Sequence, residues 1–247
     1  MSKMIDKSKI KVIAMDLDGT LTQHKQPMAP LTRETLVRLG QKYKLVMAGA
    51  GQVMRIFNQM ERFPIDVIGN YGLQYATYNE QTGELDMKRN ETLPQGDRES
   101  IEAKVTALRE KHGYTEFAGD NVEYHPSGCL TFPILGTKAK QEDKLAFDPD
   151  RTKRRKIYAE VCEAFKDYCV FVGGSSSFDM APKPYNKFYA VDLYCREHGF
   201  EHENVLFIGD DYGTGGNDES VYLSDIPFLC VDDYRMFPEL VQFLLDE

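Results

Sequence analysis

Two stretches at opposite ends of the chain share a pattern that the middle lacks, and this constrains the fold more than any other feature. Residues 10–16 form a mostly apolar run, Ile10-Lys11-Val12-Ile13-Ala14-Met15-Asp16. Short runs of this kind suit a strand buried on both faces. A helical stripe of Leu31, Leu36, Val37 and Leu39 follows over 31–43, with Thr32 as its expected N-cap. A second apolar strand over 44–48, a helix over 53–63 stopped by Pro64, and a third strand over 65–69 complete the series. After Pro184 the same pattern returns, with a helix over 188–198, buried strands over 204–208 and 226–231, and a last helix over 236–245. Strands alternating with helices predict a parallel sheet covered on both faces, a doubly wound α/β core.

Between these stretches the pattern changes. Strand-like segments at 73–78, 83–88, 122–125, 129–135, 168–173 and 177–181 surround two helices near 98–111 and 151–166. Several of the strands alternate apolar with polar residues, as half-exposed antiparallel strands do. The expected organisation is a discontinuous core over 1–81 and 185–247, interrupted by an α+β cap over 82–184.

The strongest chemical signal is Asp16-Leu17-Asp18-Gly19-Thr20-Leu21-Thr22, directly after the first strand. Ligands of a parallel sheet collect at the carboxyl ends of its strands. Asp16 there can attack phosphorus, and Asp18 can hand a proton to the leaving oxygen and later take one back. Taken alone, the same residues also describe a strand ending in an Asx-type turn. A second acidic segment, Gly209-Asp210-Asp211, ends the strand at 204–208 and leads into a glycine-rich loop with Asn217 and Asp218. Carboxylates brought together from the two segments need a cation, and hard oxygen ligands point to Mg2+. Lys187, at the return to the core, offers a fixed ammonium for phosphoryl oxygens.

These residues together resemble the haloacid-dehalogenase-like (HAD) superfamily of phosphotransferases, and more closely its eukaryotic-type phosphomannomutase branch, whose cap is of the C2b kind. The resemblance covers nearly the whole chain. It includes Gly173–Pro182, which looks like the family's glycine-serine segment, and Gly215-Gly216-Asn217-Asp218-Glu219. It implies a HAD-like Rossmannoid core with an inserted cap, the active site in the cleft between them, and a cap that opens and closes. Asp16 would be the nucleophile, Asp18 the acid/base and Lys187 the basic residue. Mg2+ would be held by Asp16, the main-chain carbonyl of Asp18, and Asp210, with Asp211 and Asp218 supporting the metal loop. Ser177, Asp179, Lys144 and Asn217 would contribute to substrate binding.

Two departures from the family pattern shape the functional expectation. A Ser or Thr commonly follows the second strand, whereas this chain reads Ala48-Gly49-Ala50-Gly51-Gln52. Backbone N–H groups at Gly49, Ala50 and Gly51 are the expected substitute at the helix start. The arginines with which phosphomannomutase caps grip a second phosphate fall near Pro126, Thr137 and Lys144, and Lys25 stands where another arginine would be. A lysine lacks the bidentate fork of arginine. The expectation is therefore a Mg2+-dependent phosphatase of a small sugar phosphate, with a sugar phosphomutase as the alternative and a catalytically silent phospho-sugar binder as a remote third.

Composition limits the remaining classes. Thirty Lys and Arg against 39 Asp and Glu give a net charge of −9, which argues against a nucleic-acid or anionic-membrane partner but not against a small anionic substrate. No apolar run is long enough to span a bilayer, and the polar start shows no signal peptide. The five cysteines form no C-x-x-C pair and read as reduced thiols of a cytoplasmic protein. A homodimer through the cap is held open. Gly49-Ala50-Gly51 does not extend to a dinucleotide fingerprint, because Met54 occupies the third glycine position. The run Lys153-Arg154-Arg155-Lys156 reads as a solvated helix face, and none of the five histidines is assigned to catalysis, although His24 and His125 could reach a cleft mouth.

Overall fold

Alternate residues of a strand face opposite ways, so a strand that is apolar at every position must be covered on both sides. The computed structural model describes residues 5–246. In chain order it contains β1 (Val12–Met15), α1 (Pro30–Gly40), β2 (Lys44–Ala48), α2 (Val53–Gln59), β3 (Asp66–Gly69), β4 (Gln74–Asn79) and β5 (Glu84–Asn90). These are followed by α3 (Arg98–His112), β6 (Glu123–Tyr124), β7 (Leu130–Pro133), α4 (Gln141–Phe147), α5 (Thr152–Ala164), β8 (Tyr168–Phe171) and β9 (Ser177–Pro182). The chain ends with α6 (Lys187–His198), β10 (Val205–Gly209), α7 (Glu219–Tyr222), β11 (Phe228–Cys230), α8 (Phe237–Leu240) and α9 (Gln242–Leu245). It separates into two compact units. One runs to Asn90 and resumes over Asn186–Gly213 and from Asp218 on; the other is Glu91–Tyr185 with Thr214–Asn217. No helix among the described residues is long and apolar enough to cross a membrane.

The first unit is built on a seven-stranded sheet in the order β11-β10-β1-β2-β3-β4-β5. The first five of these strands are parallel to their neighbours, and β4 and β5 add an antiparallel edge. Ile13, Met15, Leu45, Met47, Val67, Leu206 and Ile208 face one way, onto α1, α2 and α8. Val12, Ala14, Val46, Ile68, Val205 and Phe207 face the other way, onto Ala190, Val191 and Tyr194 of α6 and Val221 of α7. The sheet is thus doubly wound, as the apolar runs require.

The sequence boundary at residue 82 is displaced. β5 pairs with β4 along its length and belongs to the core sheet, so the first unit extends to Asn90. Its exposed, polar side chains hide that membership from a pattern search, because an edge strand need not be apolar on both faces. Thr32 does not cap α1. Pro30 occupies the first turn after Ala29, where the missing N–H of proline costs nothing. The last helix is broken into α8 and α9 at Val241.

The second unit has a four-stranded antiparallel sheet, β6-β7-β9-β8. Leu130, Phe132, Val170, Phe178 and Met180 line one face and pack on Ile101, Val105 and Leu108 of α3 and on Ile157 and Val161 of α5. The reading of 153–156 as a solvated run fails at Arg154, which is 1% exposed. Its Nε donates to Asp148 Oδ2 at 2.8 Å, and its Nη1 donates to the Gly173 carbonyl at 2.5 Å. The helical period places one residue of a charged run inward, and the buried Asp148 gives that charge a partner.

Two predictions follow from these contacts. Removing one member of a buried ion pair strands the other charge without solvent. Asp148→Asn is therefore expected to lower the unfolding free energy by roughly 3–5 kcal/mol in urea titrations followed by circular dichroism; a loss under about 1 kcal/mol would show that Arg154 finds other partners. In the first unit, His202 shares its ring nitrogens between Asp225 (2.6 Å) and Asp192 (3.1 Å). Partial burial disfavours its charged form, but the two carboxylates outweigh this and raise its pKa above 6.5. The stabilisation is complete below the unfolded value and is lost as pH rises through the raised folded value. His202→Gln is expected to lose more stability at about pH 5 than at about pH 9, and an equal loss at both would count against the charged pair.

Candidate active site

Strands β1 and β10 are neighbours with Met15 level with Ile208, so the residues that follow each of them leave the sheet side by side. Asp16 is fixed there by its own N–H, which donates to the Ile208 carbonyl at 3.0 Å. Gly19 then turns the chain with φ of +95°, and a Cβ on it would fall 2.6 Å from Cγ of Asp210. Only glycine meets both conditions at no cost. Thr20, fully buried, donates its hydroxyl to Asp210 Oδ1 at 2.8 Å.

Lys187 opens α6, whose first turn is capped by the Asn186 side chain on the Tyr189 N–H. Its ammonium is fully buried and lies 2.9 Å from Asp16 Oδ1 and 2.7 Å from Asp218 Oδ1. The other oxygen of Asp218 accepts the Asp211 N–H at 3.0 Å, and the Asp218 N–H returns to the Asp211 carbonyl. Asp16, Asp210 and Asp218 each offer an oxygen within 4.8 Å of the others. The sequence assigned Asp218 to loop support only; the structure puts its carboxylate inside the cluster.

The electrostatics show what such a cluster lacks. Burial first, then Asp218 and Asp210, push Asp16 up to about 8 against the pull of Lys187. Burial and Asp218 push Asp210 up to about 6. Three carboxylates against one ammonium leave a formal deficit of two positive charges. A hard divalent cation fits this donor set by charge and by ligand type.

Asp18 faces a different environment. Its Oδ1 accepts the Lys25 N–H and the Gln59 side-chain amide, both at 2.7 Å, and its Oδ2 lies 3.4 Å from Arg55 Nη1. Burial alone would raise its pKa, but the Gln59 and Lys25 bonds outweigh burial and lower it. The Asp18 side chain is thus not part of the acidic cluster.

Gly49, Ala50 and Gly51 form the turn between β2 and α2. The Gly49 N–H is bonded to the Ile68 carbonyl at 2.9 Å, and the first N–H of α2, on Val53, is taken by Gln74 Oε1 at 3.1 Å. One of the three donors of the expected backbone cradle, that of Gly49, is therefore engaged within the sheet. In the second unit, Asp179 Oδ1 accepts from Thr131 at 3.1 Å and lies 3.4 Å from the Ser177 hydroxyl, while His125 Nε2 is 3.0 Å from Thr131 Oγ1. Lys144 donates to the Thr137 carbonyl at 3.1 Å. Asn217 belongs to the short 214–217 segment of that unit, which is tied to β8 by the Val172 N–H on the Gly215 carbonyl. Arg55, Gln59, Thr20 and Thr131 went unassigned in the sequence. Thr20 lies inside the D-x-D-G-T motif and could have been found there; Arg55 and Gln59 carry no signal beyond an i, i+4 spacing on a helix.

Comparisons with known proteins find relatives along most of the chain. A profile of the family described as eukaryotic phosphomannomutase matches residues 113–228. A phosphomannomutase of Encephalitozoon cuniculi is 27% identical over 232 residues, covering 85% of this chain and 84% of its own. One of Dendrobium officinale is 26% identical over 227 residues, covering 87% and 85%. The fold is shared with a truncated Plasmodium falciparum IMP-nucleotidase, at a TM-score of 0.66 and 14% identity over 96% of this chain and 71% of that one. It is shared also with a Bacteroides thetaiotaomicron protein described among phosphatases of the haloalkanoate (HAD) enzyme superfamily, at 0.62 and 15% over 95% of each. With the fold and these relatives in accord, the chain is similar to the eukaryotic-type phosphomannomutases along most of its length and shares its fold with these nucleotidase and phosphatase structures.

Proposed function

We propose that the chain is a Mg2+-dependent phosphoryl-transfer enzyme that takes the phosphoryl group of a small sugar phosphate onto Asp16. The observation that carries this reading is the buried ammonium of Lys187 between Asp16 and Asp218, with Asp210 beside them at the ends of two adjacent parallel strands. Asp16, Asp210 and the carbonyl of Asp18 would hold Mg2+, with Asp218 beside them. The cation would supply neutralisation of phosphoryl charge and a common anchor for nucleophile and phosphate. Lys187 holds Asp16 in one orientation and presents positive charge to the phosphoryl oxygens. Asp16 attacks phosphorus and the ester oxygen leaves, so that an aspartyl-phosphate forms and Asp18 supplies the leaving oxygen with its proton. Asp18 then takes a proton from the incoming hydroxyl as the aspartyl-phosphate is resolved.

The identity of that hydroxyl separates two readings. The named relatives along most of the chain are phosphomannomutases, which favours return of the phosphoryl group to another hydroxyl of the sugar, a phosphomutase. This moves the first place away from water, the acceptor preferred on the sequence. A phosphatase is the second reading, and one observation favours it. By the resemblance, the family's arginines fall near Pro126, Thr137 and Lys144, and the Lys144 ammonium is turned onto the Thr137 carbonyl. A bisphosphorylated intermediate gripped by either end needs a stronger hold than that.

A panel of sugar phosphates with Mg2+ tests the reading. Turnover is expected, as isomerisation stimulated by a hexose bisphosphate for the mutase or as phosphate release for the phosphatase. Asp16→Asn is expected to lose at least about 10³-fold in kcat, and activity that survives the substitution would remove Asp16 as nucleophile. Chelation should abolish turnover and added Mg2+ restore it; full activity in chelator would remove the metal from the mechanism.

A further inference from the structure

The loop after β2 lacks the hydroxyl with which a phosphoryl oxygen would be held, and a guanidinium lies on that loop. Arg55 sits on α2 four residues before Gln59, so both side chains leave the same face of the helix. The guanidinium folds back over Gly51, where a Cβ would fall within 2.6 Å of Cζ of Arg55. Its Nη1 donates to Gln59 Oε1 at 2.8 Å and lies 3.4 Å from Asp18 Oδ2. Gln59 closes the arrangement, since its Nε2 donates to Asp18 Oδ1 at 2.7 Å and approaches Thr22 Oγ1 and the Gln26 carbonyl.

We propose that Arg55 is a second phosphoryl-binding cation of this site beside Lys187, doing from α2 what a loop hydroxyl does elsewhere, and that Gln59 is the residue that positions it. The proposal rests on the phosphoryl-transfer reading given above. Asp18 can serve as acid and base only if its carboxylate reaches the oxygen bonded to phosphorus. A guanidinium in contact with that carboxylate is therefore within one carboxylate's width of the phosphoryl group. Its planar fork offers two parallel donors to a phosphate, which a hydroxyl cannot. The side chain of Arg55 is 44% exposed, so part of it is open to a ligand, and the weak 3.4 Å contact to Asp18 can be exchanged for phosphoryl oxygens while Asp18 keeps its bonds to Gln59 and the Lys25 N–H. The bond to Gln59 holds the guanidinium at the loop in the meantime and limits the side-chain entropy lost on binding.

The test compares the native chain with Arg55→Ala and Arg55→Lys in two assays, calorimetric binding of inorganic phosphate with Mg2+ and turnover of p-nitrophenyl phosphate, a generic phosphomonoester. Circular dichroism checks the fold of each variant. Arg55→Ala is expected to weaken phosphate binding about 10- to 100-fold, the value of a charge-assisted contact, and to raise KM. Arg55→Lys should lie between, and free guanidinium ion should rescue turnover by the alanine variant but not stimulate the native chain. Unchanged phosphate affinity and KM in Arg55→Ala would overturn the proposal. So would a fall in kcat alone without guanidinium rescue, which would make Arg55 only a holder of Asp18. Native chain that binds no phosphate overturns it as well. Asp16→Asn, run alongside, reports separately on the reading beneath. If that variant turns over the ester as well as the native chain, Asp16 is not the nucleophile, and phosphate binding still decides the role of Arg55.

Discussion

Lys187 carries its ammonium into a place without water, 2.9 Å from Asp16 and 2.7 Å from Asp218. An isolated buried charge costs many kcal/mol, so the lysine is tolerable only where carboxylates meet it, and the carboxylates only where it meets them. Three segments far apart in sequence are bound by this condition: the end of β1, the first turn of α6 and the loop before α7. The position is also unfavourable for a helix, because a cation in the first turn opposes the helix dipole. Lysine at that place is a concession of local stability to the chemistry of the site. Both shared carboxylates carry hydrogen bonds or charges that fix their orientation, so the group that would attack phosphorus is already aimed.

The parallel sheet makes this convergence possible. Neighbouring strands lie about 4.8 Å apart, and β1 and β10 are in register up to Met15 and Ile208. Any side chains that immediately follow are forced together. Burial first, and then the charge of Asp218, raises Asp16 and Asp210 above ordinary carboxylates. Thr20, Lys187 and the Asp211 N–H each answer part of that charge. What they leave unanswered is net negative charge, which a hard divalent cation fits by charge and by ligand type.

Much of this was legible in the sequence, for identifiable reasons. Continuous apolar runs announce strands buried twice over, and β1, β2, β3 and β10 are such runs. Acidic residues directly after two of them mark the ends where a parallel sheet gathers ligands, so Asp16 and Asp210 could be placed in advance. Lys187 gained meaning only from its place at the return to the core alongside the acidic motifs and from the resemblance, because a lysine opening a helix has no signature of its own. The remainder depended on partners that periodicity does not supply. β5 is polar because it is an edge, and it was assigned to the insertion for that reason. Arg154 looks solvated until Asp148 is found beside it. Asp218 was given a supporting part because its distance from Lys187 is set by a glycine-rich loop whose path no local rule predicts.

The missing hydroxyl after β2 illustrates the same limit from the other side. In the sequence, Ala48-Gly49-Ala50-Gly51 is a motif with its functional side chain deleted. In the structure, the absence of a side chain at Gly51 is the space in which the Arg55 guanidinium lies. A serine there would bring one neutral donor and occupy the place of a charged fork. Gln59 gives that exchange its geometry, since an amide that accepts from Arg55 must turn its nitrogen towards Asp18, and the two contacts fix each other's direction. The bare loop, the arginine one turn along the helix and the glutamine one turn beyond it are therefore one device, and removing any member changes what the other two can hold.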